Sequence, residues 1–221
     1  LLAEPYKITR QDADDFALRS QKLAKIAIDE GRFKKNVIDV AYTDESGAPQ
    51  LASVDDNPRP DTTSAALAGL KTVFKPEGGI ITAGNASAIV DGAAAVLVAS
   101  ESALKEHNLK PRARVVSQSA IGSPPRVMLT GPVEASRQAL LWEINEAFAP
   151  VPIMTIRELE IDPNRVNVNG GGISLGHPLG ATGAMLLGMA IEELERSSGR
   201  YALVTMCIGL GMGIATVLER V

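Results

Sequence analysis

Apolar residues recur at helical spacing through Phe16, Leu23, Ile26 and Ala27, and this run is framed by start and stop signals. Thr9, followed three residues later by Asp12, predicts a capping box with Asp in place of the usual Glu, and Gly31 is placed to end the helix. The period then shortens. Val37 to Tyr42 and Gln50 to Val54 read as two short strands around the turn Asp44-Glu45-Ser46-Gly47. The next stretch, Asp55 to Asp61, holds two prolines, each of which removes a donor and restricts its predecessor, so it is a loop. Thr63 to Val73 predicts another helix.

From Thr82 the charges thin out and glycine and alanine accumulate. Ala93 to Ser100 is a nearly continuous apolar run, the pattern of a strand buried on both faces. A helix over Glu101 to Asn108 and a strand over Val115 to Ser119 follow, and Pro132 to Leu140 reads as a helix that stops abruptly. Val166 to Asn169 predicts a short strand and Ala184 to Arg196 a strongly apolar helix. Tyr201 to Cys207 and Ile214 to Glu219 flank a glycine-rich turn and predict a hairpin. Strands alternating with helices give a layered α/β architecture.

Composition narrows the function. The 221 residues carry 22 basic and 26 acidic side chains, a net charge of −4 with a pI near 5.3. That balance argues against a general nucleic-acid binder, which shows a basic stripe. One cysteine rules out an internal disulfide, so an oxidising compartment is not implied. Without an apolar run of about 18 residues no transmembrane helix is expected. The opening Leu1-Leu2-Ala3-Glu4-Pro5 has no charged-then-apolar leader and no initial Met, so an interior start and a cytoplasmic location are expected.

Three segments stand out, two of them because they place reactive side chains beside glycines. Asn169 to Gly183 holds six glycines and His177, with Pro178 stiffening the turn; it fits either a tight strand-to-helix connection or a site. Cys207-Ile208-Gly209-Leu210-Gly211-Met212-Gly213 puts the lone Cys at a strand end. Such a Cys is either an inert small hydrophobe or a proton-transfer group, with the Gly209 amide free to stabilise an oxyanion. In Trp142 to Phe148, Asn145 is either a helix N-cap or a buried amide that holds a water or a carbonyl. A P-loop is excluded because Ala184 and Met185, not Lys-Ser/Thr, follow Gly183. A dinucleotide fingerprint fails because Glu195 lies on the same predicted helix. One His and one Cys cannot fill a four-coordinate metal site, and His107 reads as a solvated helix-end residue.

Taken together, four ordered blocks resemble the thiolase family: Thr82-Ala83-Gly84-Asn85-Ala86-Ser87 with Asp91-Gly92-Ala93-Ala94, Asn145-Glu146-Ala147-Phe148, Asn167 through Gly176-His177-Pro178 to Gly183, and Cys207 to Gly211. The resemblance runs through all 221 residues, including the opening helix and the Pro58-Arg59-Pro60 loop. It implies a thiolase-like αβαβα layering. Residues 1–88 would be part of the loop domain, 89–110 the last strand and helix of the N-terminal domain, and 111–221 the C-terminal domain. It further implies an acyl-CoA C-acyltransferase, acting in thiolysis of a 3-ketoacyl-CoA or in the reverse Claisen condensation, hence in fatty acid metabolism.

The resemblance also assigns roles. His177 would activate a nucleophilic Cys, Cys207 would shuttle the α-proton, and Asn145 would hold a water that joins His177 in one oxyanion hole. Gly209 would supply an amide to the other hole, Ser87 would line the pantetheine channel, and Lys71 would approach the CoA adenine end. CoA and its thioesters are substrates in this reading, with no permanently bound cofactor, no metal, no nucleic acid and no membrane insertion, and the assembly would be a homodimer or homotetramer. Two departures are expected to matter. The chain's only Cys already matches Cys207, so the acyl-accepting Cys would lie in an N-terminal half that the 221 residues do not contain. At Leu140-Leu141-Trp142 about a dozen of the family's residues are skipped, which would leave the carbonyls of a truncated helix end unmet. The competing reading is a thiolase-like subunit that binds CoA thioesters or a protein partner without completing the reaction.

Overall fold

The computed structural model describes residues 2–122, 130 and 142–221. The helix expected over Pro132 to Leu140 and the Leu140-Leu141 junction lie outside the described residues. Helix α1 (Arg10–Asp29) forms as its caps predict. Thr9 Oγ1 accepts from the Asp12 amide and Asp12 returns the bond to the Thr9 amide, while Gly31, at φ +69, turns the chain out of the helix. Its buried stripe is set differently from expectation. Ala13, Phe16, Ala17, Ser20, Ala24 and Ala27 face inward, whereas Ile26 is exposed. Small residues on that face let the glycine-rich segment press against the helix.

Strands β1 (Val40–Thr43) and β2 (Pro49–Ala52) pair as an exposed hairpin about the expected turn, where Asp44 Oδ1 accepts from the Ser46 and Ala48 amides. Helix α2 (Ser64–Ala68) is shorter than the sequence predicts, since Gly69 caps it and the chain bends towards a bridge between Thr72 and Thr82. Helix α3 spans Glu101–Glu106.

The main sheet contains β3 (Ala113–Gly122), β4 (Trp142–Ile144), β5 (Tyr201–Ile208) and β6 (Met212–Arg220), in the order β3-β6-β5-β4. β4 and β5 run parallel, and the other pairs are antiparallel. Alternation along β5 sorts the two faces. Ala202 and Val204 pack under Leu186, Ala190 and Leu194 of the long helix Thr182–Ser197, whereas Leu203 joins Trp142, Ile144, Val166 and Ala215 on the other side. That second face is covered by Ile156 and Leu159 of helix α4 (Pro150–Leu159), and α1 packs on the far side of α4 through Ala13, Phe16 and Ala17. Fully buried leucines such as Leu194 and Leu203 each contribute about 1.5–3 kcal/mol to this layering. The short helix Gly172–Leu175 is α5, and Thr182–Ser197 is α6.

Two strand expectations are corrected. Ala93 to Ser100 forms no strand and is exposed, with Leu97 and Val98 each 79% accessible. Its apolar run suits a sheet interior, but among the described residues no strand pairs with it, and an unpaired strand has no ladder to hold it. Val166 to Asn169 makes only isolated bridges. Asn167 takes a left-handed conformation at φ +47, and its side chain, instead of a ladder, accepts from the Ile144 amide and donates to the Ile144 carbonyl.

Candidate active site

The parallel pair β4 and β5 brings Asn145 and Cys207 to one edge of the sheet, the carboxyl ends of its parallel strands, where ligand crevices form in α/β sheets. Asn145 follows β4, is almost fully buried, and its amide donates to the Thr205 carbonyl at 3.0 Å. It is therefore a strand-end residue rather than a helix N-cap. Its Nδ2 lies 3.3 Å from His177 Nε2, so the two sequence-predicted groups meet directly. Asn145 Oδ1 has no partner among the described residues although it is buried, which leaves an acceptor open to a water or a ligand donor.

His177 stands between α5 and α6 in the turn that Gly176 and Pro178 shape. Gly176 adopts φ +95, and a Cβ there would lie 2.6 Å from a Val90 methyl. His177 Nδ1 lies 2.7 Å from Thr182 Oγ1, and partial burial pushes the imidazole pKa below its ordinary value. The ring is therefore neutral at pH 7 and can accept a proton.

A strap of residues 85–88 ties the two loops together. Ser87 donates through its amide and its hydroxyl to the Ala147 carbonyl, the Ala149 amide donates to the Asn85 carbonyl, and the His177 amide donates to the Ala88 carbonyl. Ser87 thus sits against the Asn145 loop. Beside the strap a cavity of about 560 Å3 opens between Gln21, Asn57, Arg59, Leu67, Ala86 and Ile173.

Cys207, the penultimate residue of β5, lies opposite Gly213 and packs against the cluster that contains Ile173 and Met154. Burial pushes its thiol up to about 11, so it is held protonated at neutral pH. Gly209 lies just beyond, in the exposed turn, and a Cβ there would meet nothing within 4 Å. Lys71 is exposed, and no hydrogen bond or ion pair joins it to Asn145, His177 or Cys207.

Beneath these groups lies an acid that the sequence reading passed over. Glu146, fully buried, accepts from Ser20 Oγ at 2.6 Å, Asn167 Nδ2 at 2.9 Å and the Ile173 amide at 3.1 Å. It joins α1, the Asn145 loop and the glycine-rich segment, and Gly171 must lack a Cβ because one would stand 2.4 Å from Glu146 Cδ. Burial raises the pKa of Glu146, and that of its buried neighbour Glu143 well above the carboxylate range. The signal was available in the motif itself, a charged residue between Asn145 and an apolar pair. Thr182 was also missed; its five-residue distance from His177 was the only hint. Among the described residues no group of three His, Cys, Asp or Glu side chains could hold a metal ion, and no helix is long and apolar enough to cross a membrane.

Comparison with known proteins gives this geometry a context. The family models described as "Thiolase, N-terminal domain" and "Thiolase, C-terminal domain" match residues 1–102 and 109–220. A beta-ketoadipyl-CoA thiolase of Acinetobacter baylyi is 45% identical over 233 residues, covering 100% of this chain and 58% of that protein. A mitochondrial 3-ketoacyl-CoA thiolase of Bos taurus is 44% identical over 229 residues, covering 99% of this chain and 57% of the relative. Among solved structures, the acetyl-CoA acetyltransferase of Bacillus anthracis superposes with a TM-score of 0.95 at 40% identity, covering 100% of this chain and 58% of the other. The chain thus spans a little under six-tenths of the length of these relatives.

Proposed function

This chain belongs to the thiolase family, and on that premise we propose that it carries the proton-handling side of an acyl-CoA C-acyltransferase site, run as thiolysis of a 3-ketoacyl-CoA or as the reverse condensation of an acyl-CoA with acetyl-CoA. The observation that carries the reading is the direct meeting of Asn145 with a neutral His177 at the sheet edge where Cys207 is held as a thiol.

The chemistry follows from those states. An acyl-accepting thiol outside these 221 residues loses its proton to His177 Nε2 and attacks the substrate carbonyl. CoA leaves with the proton of the Cys207 thiol, an acyl thioester remains, and Cys207 is left as the thiolate while His177 keeps its proton. In the condensation direction the thiolate of Cys207 removes the α-proton of acetyl-CoA, and the resulting carbanion attacks the acyl thioester. A carbon–carbon bond forms, a carbon–sulfur bond breaks, and the accepting thiolate is released. A thiolate whose conjugate acid has a high pKa is a stronger base, which suits abstraction of a weakly acidic carbon-bound proton. Negative charge develops on two thioester oxygens in turn. One is met by protonated His177 with a water held by Asn145, the other by the Gly209 amide, and each such donor is worth about 3–4 kcal/mol in comparable sites.

The open Asn145 Oδ1 supports that water. The 560 Å3 cavity beside the strap, of a size that suits a small-molecule arm, is lined by Ala86 and Ala88 on either side of Ser87 and by Leu70 next to Lys71; it supports a pantetheine channel beside the strap, and in this reading Lys71 approaches the adenine end. In this reading residues 1–88 belong to the loop domain, 89–110 to the N-terminal domain and 111–221 to the C-terminal domain, and the protein works in the cytoplasm as a homodimer or homotetramer.

Cys207→Ser tests the assignment. Enzyme acylation by radiolabelled acetyl-CoA should survive, while condensation falls about a thousandfold because a hydroxyl is a poor proton shuttle. Condensation at the wild-type rate would remove Cys207 from the mechanism. Tight binding of acetyl-CoA with no acylation, by a protein that joins these residues to the segment expected to carry the acyl-accepting thiol, would favour the subunit that binds thioesters without turning them over.

A further inference from the structure

As the Asn145 amide is oriented, the donor and acceptor demands of the groups around His177 fit together with Nδ1 as the protonated nitrogen. Thr182 Oγ1 lies 3.0 Å from the Pro178 carbonyl oxygen and 2.7 Å from His177 Nδ1. A carbonyl only accepts, so the single hydroxyl proton goes to Pro178, and Thr182 offers Nδ1 a lone pair. Nδ1 then carries the ring proton. Across the ring, Asn145 Nδ2 can only donate, and at 3.3 Å it meets an unprotonated Nε2. Thr182 is 3% exposed, which keeps water from replacing its hydroxyl, and it opens α6, so its backbone is fixed by helix geometry.

We propose that Thr182 is a positioning residue that holds His177 as its Nδ1–H tautomer and so keeps the Nε2 lone pair turned towards Asn145 and the reacting groups. The tautomer assignment stands on these hydrogen bonds alone; its catalytic consequence rests on the thiolase reading above. When Nε2 takes a proton, the bond from Asn145 Nδ2 is given up and Nε2–H donates to the substrate oxygen, while the Nδ1–H bond to Thr182 persists, so the ring changes charge without turning. The same hydroxyl therefore serves the base form and the later oxyanion-binding form.

Nitrogen-15 NMR of the labelled chain decides this. Only two histidines are present, and His107→Gln leaves His177 as the single ring to observe. Above its titration, His177 should show a protonated Nδ1 and an unprotonated Nε2. Thr182→Ser should preserve that pattern, and Thr182→Val should shift the ring towards the Nε2–H tautomer. In thiolysis assays of the protein that includes the acyl-accepting thiol, Thr182→Val should lower kcat by about tenfold or more, with KM little changed and Thr182→Ser restoring the rate, because a misplaced ring proton disables the base. An Nε2–H tautomer in the wild type, which the Asn145 amide turned the other way would require, overturns the proposal, and that spectrum needs no variant to fold. So does a Thr182→Val chain with the wild-type tautomer or the wild-type kcat. The expected tautomers in a protein that carries the acyl-accepting thiol and still catalyses no acyl transfer would sink the thiolase reading and leave the tautomer assignment standing.

Discussion

Burial pushes the Cys207 thiol up to about 11, and the sign of that change separates two kinds of reactive cysteine. A nucleophile has its pKa lowered so that thiolate is present at neutral pH, whereas a raised pKa keeps the proton in place. Alkylation of Cys207 by iodoacetamide, followed by intact mass, should therefore be slower at pH 8 than that of a free thiol and should climb as pH approaches 11. An unfolded cysteine ionises near 8.5, so between there and 11 the unfolded state sheds a proton that the folded state keeps, and stability falls as pH rises through that window. His177 works at the other end. Its pKa is lowered, so as pH falls through about 6.5 the unfolded chain takes up the proton first and stability falls. At this scale the sequence singled out candidates where chemistry and glycines coincide, at His177 and Cys207, and in the Asn-Glu-Ala-Phe block at Asn145. It did not single out Thr182, five positions from His177, or Glu146, because nothing in the order of residues states which hydroxyl or carboxylate will be paired; Glu146 is paired with Asn167 21 positions on and with Ser20 126 positions back.

Elements were legible wherever local chemistry specifies them. The Thr9 and Asp12 capping box, the β5–β6 hairpin and helix α6 all follow from short-range signals. The inward face of α1 was not, since apolar spacing favoured Leu23 and Ile26 while close packing selected the small residues Ala17, Ser20 and Ala24. That selection has a reason. α1 contributes Ser20 to Glu146, and a Cβ on Gly170 would come within 2.8 Å of Ala24 Cβ, so bulk on either side would part the helix from the glycine-rich segment. Gly171→Ala should therefore lower stability by about 1–3 kcal/mol in urea unfolding, since Glu146 must move and lose donors. An unchanged midpoint would show that the buried acid tolerates displacement.

At the scale of the molecule, the described surface carries Ile89 at 88% and Leu97 and Val98 at 79% exposure, and exposed apolar surface of that kind marks a contact site or a liability. The run was read from sequence as a buried strand, and its composition still states that preference; what it lacks among the described residues is a neighbour. The purified chain should bind an apolar dye and associate with rising concentration in sedimentation. The pair Leu97→Lys and Val98→Lys should suppress both without changing the melting temperature; persistent association would place the sticky surface elsewhere. The strap of residues 85–88 has a consequence in time rather than in space. Its bond from Ser87 to Ala147 spans sixty positions, and its bond from Ala88 reaches further, to His177. Contacts between such distant positions form only after large loops have closed, so a refolding chain would gain its capped helix and its hairpin early. It would become competent for chemistry last.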